Sequence, residues 1–230
     1  MISGLLFDKD ATLLDFEKTW GEWSRSFLTG LADGDPALLQ AMADAIQFDL
    51  TRNTFHPTSP VIAGTPDEGV DLILPLLSHW DRDALVTHSN ETARKVQVHE
   101  IVPLAPLLDE LKTHAPLGIA TNDAAASARR HMEAVGVADR FTAIIGSDSG
   151  FGGKPGPGMC LAFADHIGAE PATVAMIGDS THDLHAGRAA GMICVGVTSG
   201  FASEADLTPH ADVVLPNVSH LPDWLNSRAT

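Results

Sequence analysis

The pattern of apolar and polar residues divides the chain into a helical segment and a segment where strands and helices alternate. A short apolar run from Ile2 to Phe7 ends in carboxylates, which is typical of a buried strand. Between residues 16 and 90, apolar side chains recur at helical spacing, and we predict no strand there. From residue 103 onward, predicted helices separate predicted strands. Those strands cover residues 117–121, 141–145, 174–178, 193–197 and 212–215. This alternation favours a parallel sheet with helices on both faces.

The position of the helical segment predicts two domains. A lone strand cannot bury itself, so the first 15 residues must join the sheet formed by the later strands. We therefore predict an α/β fold: a Rossmann-like parallel sheet core made of residues 1–15 and 95–230, with an inserted α-helical domain, residues 16–94. Within the insert, Thr65 and Glu68 form a capping-box signature that begins a helix, and Pro75 is expected to kink or shorten it.

Composition and charge narrow the choice of partners. The 230 residues include 14 Lys and Arg against 30 Asp and Glu, a formal net charge of −16. Such a surface repels phosphate backbones and anionic lipids, so we predict no nucleic acid and no membrane as partner. We find no apolar segment long enough to span a membrane and no secretory leader at the N-terminus. With two cysteines in apolar surroundings, the sequence predicts a cytoplasmic protein, and its oligomeric state stays open.

Polar side chains of particular types follow several of the predicted strands or lie in the loops between them. Because the carboxyl ends of parallel strands meet at one edge of a sheet, residues far apart in sequence are expected to converge there. The residues concerned are Asp8, Asp10, Thr121, Asn122, Lys154, Asp179 and Asp183.

These side-chain types predict phosphoryl transfer. A carboxylate can attack phosphorus and form an acyl phosphate, which makes Asp8 the candidate nucleophile and Asp10 its acid/base partner. A hard cation such as Mg²⁺ would reduce the repulsion between carboxylate and phosphate, with Asp8 and Asp179 as candidate ligands. A hydroxyl, an amide and an ammonium would stabilise the transferring oxygens. These three groups would come from Thr121, Asn122 and Lys154.

The motif Asp8-Lys-Asp-Ala-Thr12 resembles the D-x-D-x-T signature of the haloacid dehalogenase (HAD) superfamily. Thr121, Lys154-Pro155 and Gly178-Asp179-x3-Asp183 resemble the three later motifs of that superfamily, in the same order. Within the superfamily, the chain most resembles phosphoglycolate phosphatases. The resemblance implies the same α/β core, with the helical insert similar to the type-1 cap of these enzymes.

The resemblance also implies a role for each matching residue. Asp8 would be nucleophile and Mg²⁺ ligand, and Asp10 would be general acid/base and would reach the metal through its backbone carbonyl. Asp179 would complete the metal site. The threonine and lysine of the second and third motifs would bind the phosphoryl group, and Asp183 would support the metal site or orient Lys154. The implied protein is a Mg²⁺-dependent phosphatase that acts on a small phosphorylated metabolite, a phosphoglycolate-like phosphomonoester, through a phospho-aspartate.

Three alternatives stay open. A haloacid dehalogenase would also use Asp8 but needs neither a metal nor a carboxylate at position 10, so Asp10 and Asp179 argue against it. A sugar-phosphate mutase would share the core and differ in how the cap controls water. A binding or regulatory module would keep the fold without turnover. Ala11, which stands where glycine is usual in such phosphatases, is expected to restrict the turn.

Overall fold

The polypeptide passes from one compact unit to another after Asp15 and returns after Val98. The computed structural model describes residues 2–228. One unit contains the chain up to Asp15 and from His99 onward, and the other contains Phe16–Val98. The first unit begins with strand β1 (Gly4–Phe7), whose four residues are all buried, as expected for a parallel strand covered on both faces.

The inserted unit is mainly helical. Its helix α3 has the predicted capping box, in which Thr65 and Glu68 bond reciprocally. The same helix ends before Pro75, which lies in a short 3₁₀ turn, so the predicted shortening is confirmed. Its regular elements in chain order are α1 (Phe16–Ala32), α2 (Pro36–Ala45), β2 (Phe48–Asp49), β3 (Thr54–Phe55), α3 (Pro66–Ile73) and α4 (Arg82–Ala93).

The prediction that residues 16 to 90 contain no strand is wrong, because β2 and β3 form a small antiparallel pair. The Asp49 carboxylate accepts hydrogen bonds from the backbone of Thr51 and Arg52 and so closes the turn between the two strands. Strands of two residues are too short to leave a periodic signal in the sequence.

The first unit continues with helices and strands in alternation. Its later elements are α5 (Leu104–Leu111), β4 (Leu117–Ala120), α6 (Ala125–Ala134), β5 (Phe141–Ile145), α7 (Gly158–His166), β6 (Val174–Gly178), α8 (Thr181–Ala189), β7 (Ile193–Val197), α9 (Glu204–Leu207), β8 (Val213–Leu215) and α10 (Leu221–Ser227). Helices α9 and α10 were not predicted. A capping box between Ser203 and Asp206, visible in the sequence, begins α9. No helix in the described part of the chain is both long and apolar enough to cross a membrane.

Within residues 2–228, six strands form one parallel sheet in the order β5-β4-β1-β6-β7-β8. This confirms the predicted Rossmann-like α/β core. Strand β1 lies between β4 and β6, where Phe7 is in register with Ile119 and with Ile177. The residues that follow these three strands therefore leave the sheet at the same edge, which is where open α/β sheets bind ligands.

Candidate active site

Three buried aspartates meet at this edge of the sheet. Backbone pairing extends past the end of β1, since the amide of Asp8 donates to the carbonyl of Ile177 over 2.8 Å. One carboxylate oxygen from each of Asp8, Asp179 and Asp183 lies within 4.8 Å of the others. The sequence predicted that the three residues would converge, and in the part of the chain that the structure describes they form a cluster able to hold a metal ion.

Lys154 contacts two of these carboxylates. Its Nζ atom lies 2.5 Å from Asp8 Oδ1 and 2.6 Å from Asp183 Oδ1, and it donates to the carbonyl of Ala120 over 2.9 Å. The side chain of Asn122 binds the backbone of Lys154. Its Oδ1 accepts a hydrogen bond from the Lys154 amide at 2.7 Å, and its Nδ2 donates to the Lys154 carbonyl at 3.0 Å. Asn122 therefore positions Lys154 through backbone hydrogen bonds, a function that the sequence did not predict.

The first turn of α8 sets the orientation of Asp183. Asp183 Oδ2 accepts hydrogen bonds from the amide and hydroxyl of Ser180 at 3.0 and 2.7 Å, which caps the helix. The other oxygen, Oδ1, faces Lys154. Gly178 is required here, because a side-chain Cβ at this position would overlap the Asp183 carboxylate.

Asp179 is fixed by residues from two distant loops. Thr12 Oγ1 donates to Asp179 Oδ1 over 3.0 Å. Gly200 lies so close that a Cβ there would overlap the Asp179 carboxylate. Thr12 and Asp179 belong to the first and fourth motifs, but their hydrogen bond was not predicted. The need for glycine at position 200 is indicated by no sequence motif, because it depends on how the loop after β7 returns to the site.

Ala11 adopts the left-handed backbone conformation that glycine favours, with φ of 60°. For a residue with a Cβ this conformation costs roughly 1–2 kcal/mol. The backbone of Ala11 is hydrogen-bonded at both its amide and its carbonyl: the amide donates to the Leu14 carbonyl, and the carbonyl accepts from the Ser199 hydroxyl, each over 2.7 Å. The alanine therefore strains the turn, as its methyl group predicts, but does not prevent it.

Asp10 points toward a second group of buried charges. Its carboxylate lies 2.8 Å from Nζ of Lys9, which also contacts Asp123 and His131. Burial lowers the pKa of Lys9, but Asp10 and Asp123 more than reverse this effect, so the pKa lies above its usual value. Lys9, Asp123 and His131 were not predicted to be site residues. A lysine in a turn ordinarily faces water, and no sequence motif links it to the other two.

The three clustered carboxylates of Asp8, Asp179 and Asp183 together carry more negative charge than the neighbouring Lys154 can balance. Burial, helped by the neighbouring carboxylates of Asp183 and Asp10 and opposed by Lys154, raises the pKa of Asp8 to about 7. Burial and the charges of Asp183 and Asp8 also raise the pKa of Asp179 well above its usual range. Buried oxygen ligands with uncompensated charge are the donor set that a hard divalent cation prefers. The residues present therefore fit a Mg²⁺ ion.

Without divalent metal, we expect wild type to be less stable at pH 8 than its Asp8→Asn variant. The folded-state pKa of Asp8, about 7 against an ordinary 3.8, means that the fold favours the neutral carboxyl. This contribution is fully present below about pH 4 and is lost as pH rises through 7. The variant, neutral throughout, should gain roughly 2–4 kcal/mol over wild type at pH 8 and almost nothing at pH 4. Urea unfolding in EDTA at both pH values measures the difference in free energy of unfolding between the two proteins. A difference that does not grow from pH 4 to pH 8 contradicts the expectation.

Comparison with known proteins identifies the family. Residues 5–197 match the family described as haloacid dehalogenase-like hydrolase. The chain belongs to this family. It is 26% identical to a phosphoglycolate phosphatase of Yersinia pseudotuberculosis over 234 residues, which cover 96% of this chain and 91% of that one. A shorter match, 43% identical over 84 residues, covers 36% of this chain and 36% of a Dickeya dadantii protein named "Probable phosphatase IndB".

The fold of this haloacid dehalogenase-like hydrolase also occurs in solved structures. The β-phosphoglucomutase of Clostridium difficile superposes with a TM-score of 0.71 at 18% identity, over 99% of this chain and 96% of that one. At this identity the likeness establishes the fold alone. The family match and the sequence relatives confirm the predicted family, the likeness to phosphoglycolate phosphatases and the enzyme class, a phosphatase-like hydrolase.

Proposed function

We propose that this protein is a Mg²⁺-dependent phosphatase that hydrolyses a small phosphorylated metabolite of the phosphoglycolate type through a phospho-Asp8 intermediate. The observation that carries the proposal is the position of Asp8. Its carboxylate lies beside the ammonium of Lys154 and within 4.8 Å of oxygens from Asp179 and Asp183. A nucleophilic carboxylate next to a phosphate-binding cation and a candidate metal site is what phosphoryl transfer to aspartate requires.

In the first step, an oxygen of Asp8 attacks the phosphorus atom of the ester, and the bond between phosphorus and the ester oxygen breaks. Asp10, in its acid form, gives its proton to the departing oxygen, so the alcohol leaves as a neutral molecule. The step produces phospho-Asp8 and the carboxylate form of Asp10.

In the second step, the Asp10 carboxylate takes a proton from a water molecule, and the oxygen of that water attacks phosphorus. The bond between phosphorus and the Asp8 oxygen breaks, and inorganic phosphate leaves. Asp8 is again a carboxylate and Asp10 again an acid, so the enzyme returns to its starting state.

We propose that Lys154 and Thr121 bind the phosphoryl group. Lys154 supplies the positive charge, and we propose that Asn122 and Asp183 act on the phosphoryl group through it, by holding its backbone and its ammonium. Thr121, which is buried at the end of β4, would add a hydroxyl.

The metal would be held by carboxylate oxygens of Asp8 and Asp179 and by the backbone carbonyl of Asp10. When bound, Mg²⁺ would offset the repulsion between the Asp8 carboxylate and the incoming phosphate. The unit Phe16–Val98 is inserted between β1 and α5, the position of a type-1 cap, and we propose that it acts as the cap.

A panel of phosphorylated compounds tests the proposed function. We expect phosphate release from phosphoglycolate or another small phosphate monoester when Mg²⁺ is present, and a loss of that release in EDTA. Release from no member of a panel that includes glycerol phosphates and hexose phosphates would overturn the proposal. Analysis of the sugar products distinguishes a mutase, which returns an isomeric sugar phosphate. Chloride release from chloroacetate without metal would identify a dehalogenase.

A further inference from the structure

A second buried charge cluster lies beside the candidate active site. At its centre is the ammonium of Lys9, 2.8 Å from Asp10 Oδ2, 2.9 Å from Asp123 Oδ2 and 3.0 Å from His131 Nδ1. The side chains of Lys9, Asp123 and His131 are 0%, 7% and 1% exposed, whereas that of Asp10 is 16% exposed. Asp10 is therefore the member of the cluster best placed to meet a substrate.

The lysine is held at both ends. Its backbone carbonyl accepts hydrogen bonds from the amides of Leu13 and Leu14 at 2.9 and 3.0 Å, which fixes the turn after β1. An ammonium has three hydrogens to donate, and Asp10, Asp123 and His131 all lie within hydrogen-bond distance of Nζ. His131 accepts through Nδ1, which places the proton of a neutral ring on Nε2. The ammonium therefore has a defined position, and so does the carboxylate oxygen that it contacts.

Stability alone does not require this arrangement. Exchanging a buried ion cluster for apolar side chains of similar volume is often neutral or stabilising, so the turn after β1 could be anchored to α6 without charges. An apolar side chain, however, cannot hold a carboxylate oxygen at one point. Proton transfer depends on such placement, because a shift of about 1 Å in a reacting group can cost about 10²-fold in rate.

We propose that Lys9 is a positioning residue that holds the Asp10 carboxyl group in place for proton transfer to the leaving oxygen, with Asp123 and His131 fixing the lysine. The inference rests on the proposed phosphatase function, in which Asp10 is the general acid. Lys9 does not contact substrate in this scheme and acts only through Asp10.

Leaving-group dependence separates this role from a structural one. An alkoxide is a poor leaving group and needs a proton from Asp10, whereas p-nitrophenolate leaves with little help. The value of kcat/KM reports the steps up to departure of the leaving group and so isolates the acid role of Asp10. The ratio of kcat/KM for benzyl phosphate to kcat/KM for p-nitrophenyl phosphate does not depend on how much of the enzyme is folded, because that amount affects both values equally.

Removing Lys9 alone would leave the carboxylates of Asp10 and Asp123 without their cation, so each variant also replaces Asp123. Asp123→Asn, which keeps the Lys9–Asp10 contact, serves as the baseline, and Lys9→Met/Asp123→Asn removes the contact from that baseline. Relative to Asp123→Asn, the double variant Lys9→Met/Asp123→Asn should have a kcat/KM about 10²-fold lower for benzyl phosphate. For p-nitrophenyl phosphate the loss should be less than about 5-fold. Lys9→Leu/Asp123→Asn, which likewise has no donor for Asp10 at position 9, should give the same pattern and replaces the methionine variant if that protein does not fold.

Equal losses on the two esters would show that Lys9 has a structural role only, and no loss on either would show that Asp10 is positioned without it. Both results overturn the inference. If wild type hydrolyses neither these esters nor any compound in the panel, the proposed function itself fails, which is a distinct outcome. The Asp10→Asn variant should show the same preference for p-nitrophenyl phosphate, because it removes the group that Lys9 positions.

Discussion

Replacing Asp8 by asparagine is expected to abolish hydrolysis of phosphate monoesters, with kcat reduced by at least about 10⁴-fold. Asparagine keeps the shape of the side chain but has no anionic oxygen to attack phosphorus, so phospho-Asp8 cannot form. Steady-state hydrolysis of p-nitrophenyl phosphate in saturating Mg²⁺ measures the effect. A residual activity within tenfold of wild type would remove Asp8 from the mechanism.

The matched control for this variant is Asp165→Asn. Asp165 is an exposed aspartate on α7, outside the cluster at the sheet edge, and the same change there should leave kcat unaltered. Circular dichroism and thermal unfolding of both variants exclude a loss of fold as the reason for inactivity. Because the asparagine at position 8 relieves a buried charge, the Asp8 variant should remain folded.

Loss of the metal site is expected to have the second largest effect. Asp179→Asn should lower kcat/KM by about 10²–10³-fold, close to the effect of EDTA on wild type, because the remaining ligands no longer supply enough charge to hold Mg²⁺. Added Mg²⁺ should restore wild type after EDTA treatment but should leave the variant impaired at the same concentration. Equal restoration of the two proteins would contradict the assignment of Asp179 as a metal ligand.

Gly200→Ala is expected to weaken the metal site without changing a metal ligand. Alanine at this position would press against the Asp179 carboxylate, so Gly200→Ala should raise the Mg²⁺ concentration needed for half-maximal activity. Gly30 lies in helix α1 with open space around it, and Gly30→Ala should leave the Mg²⁺ requirement unchanged. A similar requirement in the two variants would mean that the close contact does not constrain Asp179.

Much of the core was predictable because it follows from local patterns and from one rule of topology. The apolar run that ends at Phe7 predicts β1, and the alternation of later strands with helices predicts the parallel sheet that β1 joins. The place of β1 between β4 and β6, and its register with them, were not predicted. The rule that parallel strands end at one edge then predicts that Asp8 and Asp179 lie together. The distances between side chains at that edge do not follow from the sequence pattern, because they depend on side-chain and loop conformations.

The contacts that the sequence did not reveal depend on loops that return from far along the chain. Gly200 is adjacent to Asp179 only because the loop after β7 folds back over the end of β6. Lys9 is buried because Asp123 and His131 reach it from the loop after β4 and from α6. No periodicity or motif in the sequence encodes such meetings, and a lysine between two aspartates would ordinarily be interpreted as a solvated residue.

The proposed phospho-Asp8 intermediate can be trapped and located on the chain. Wild-type enzyme is mixed with substrate and Mg²⁺, quenched in acid within the first turnover, digested, and analysed by mass spectrometry. We expect one added phosphoryl group on the peptide that contains Asp8 and its absence in Asp8→Asn. In Asp10→Asn with p-nitrophenyl phosphate the phosphorylated peptide should accumulate, since Asp10 is needed to activate water. Turnover by wild type with no phosphorylated peptide, or with the phosphoryl group on another residue, would show that Asp8 is not the nucleophile.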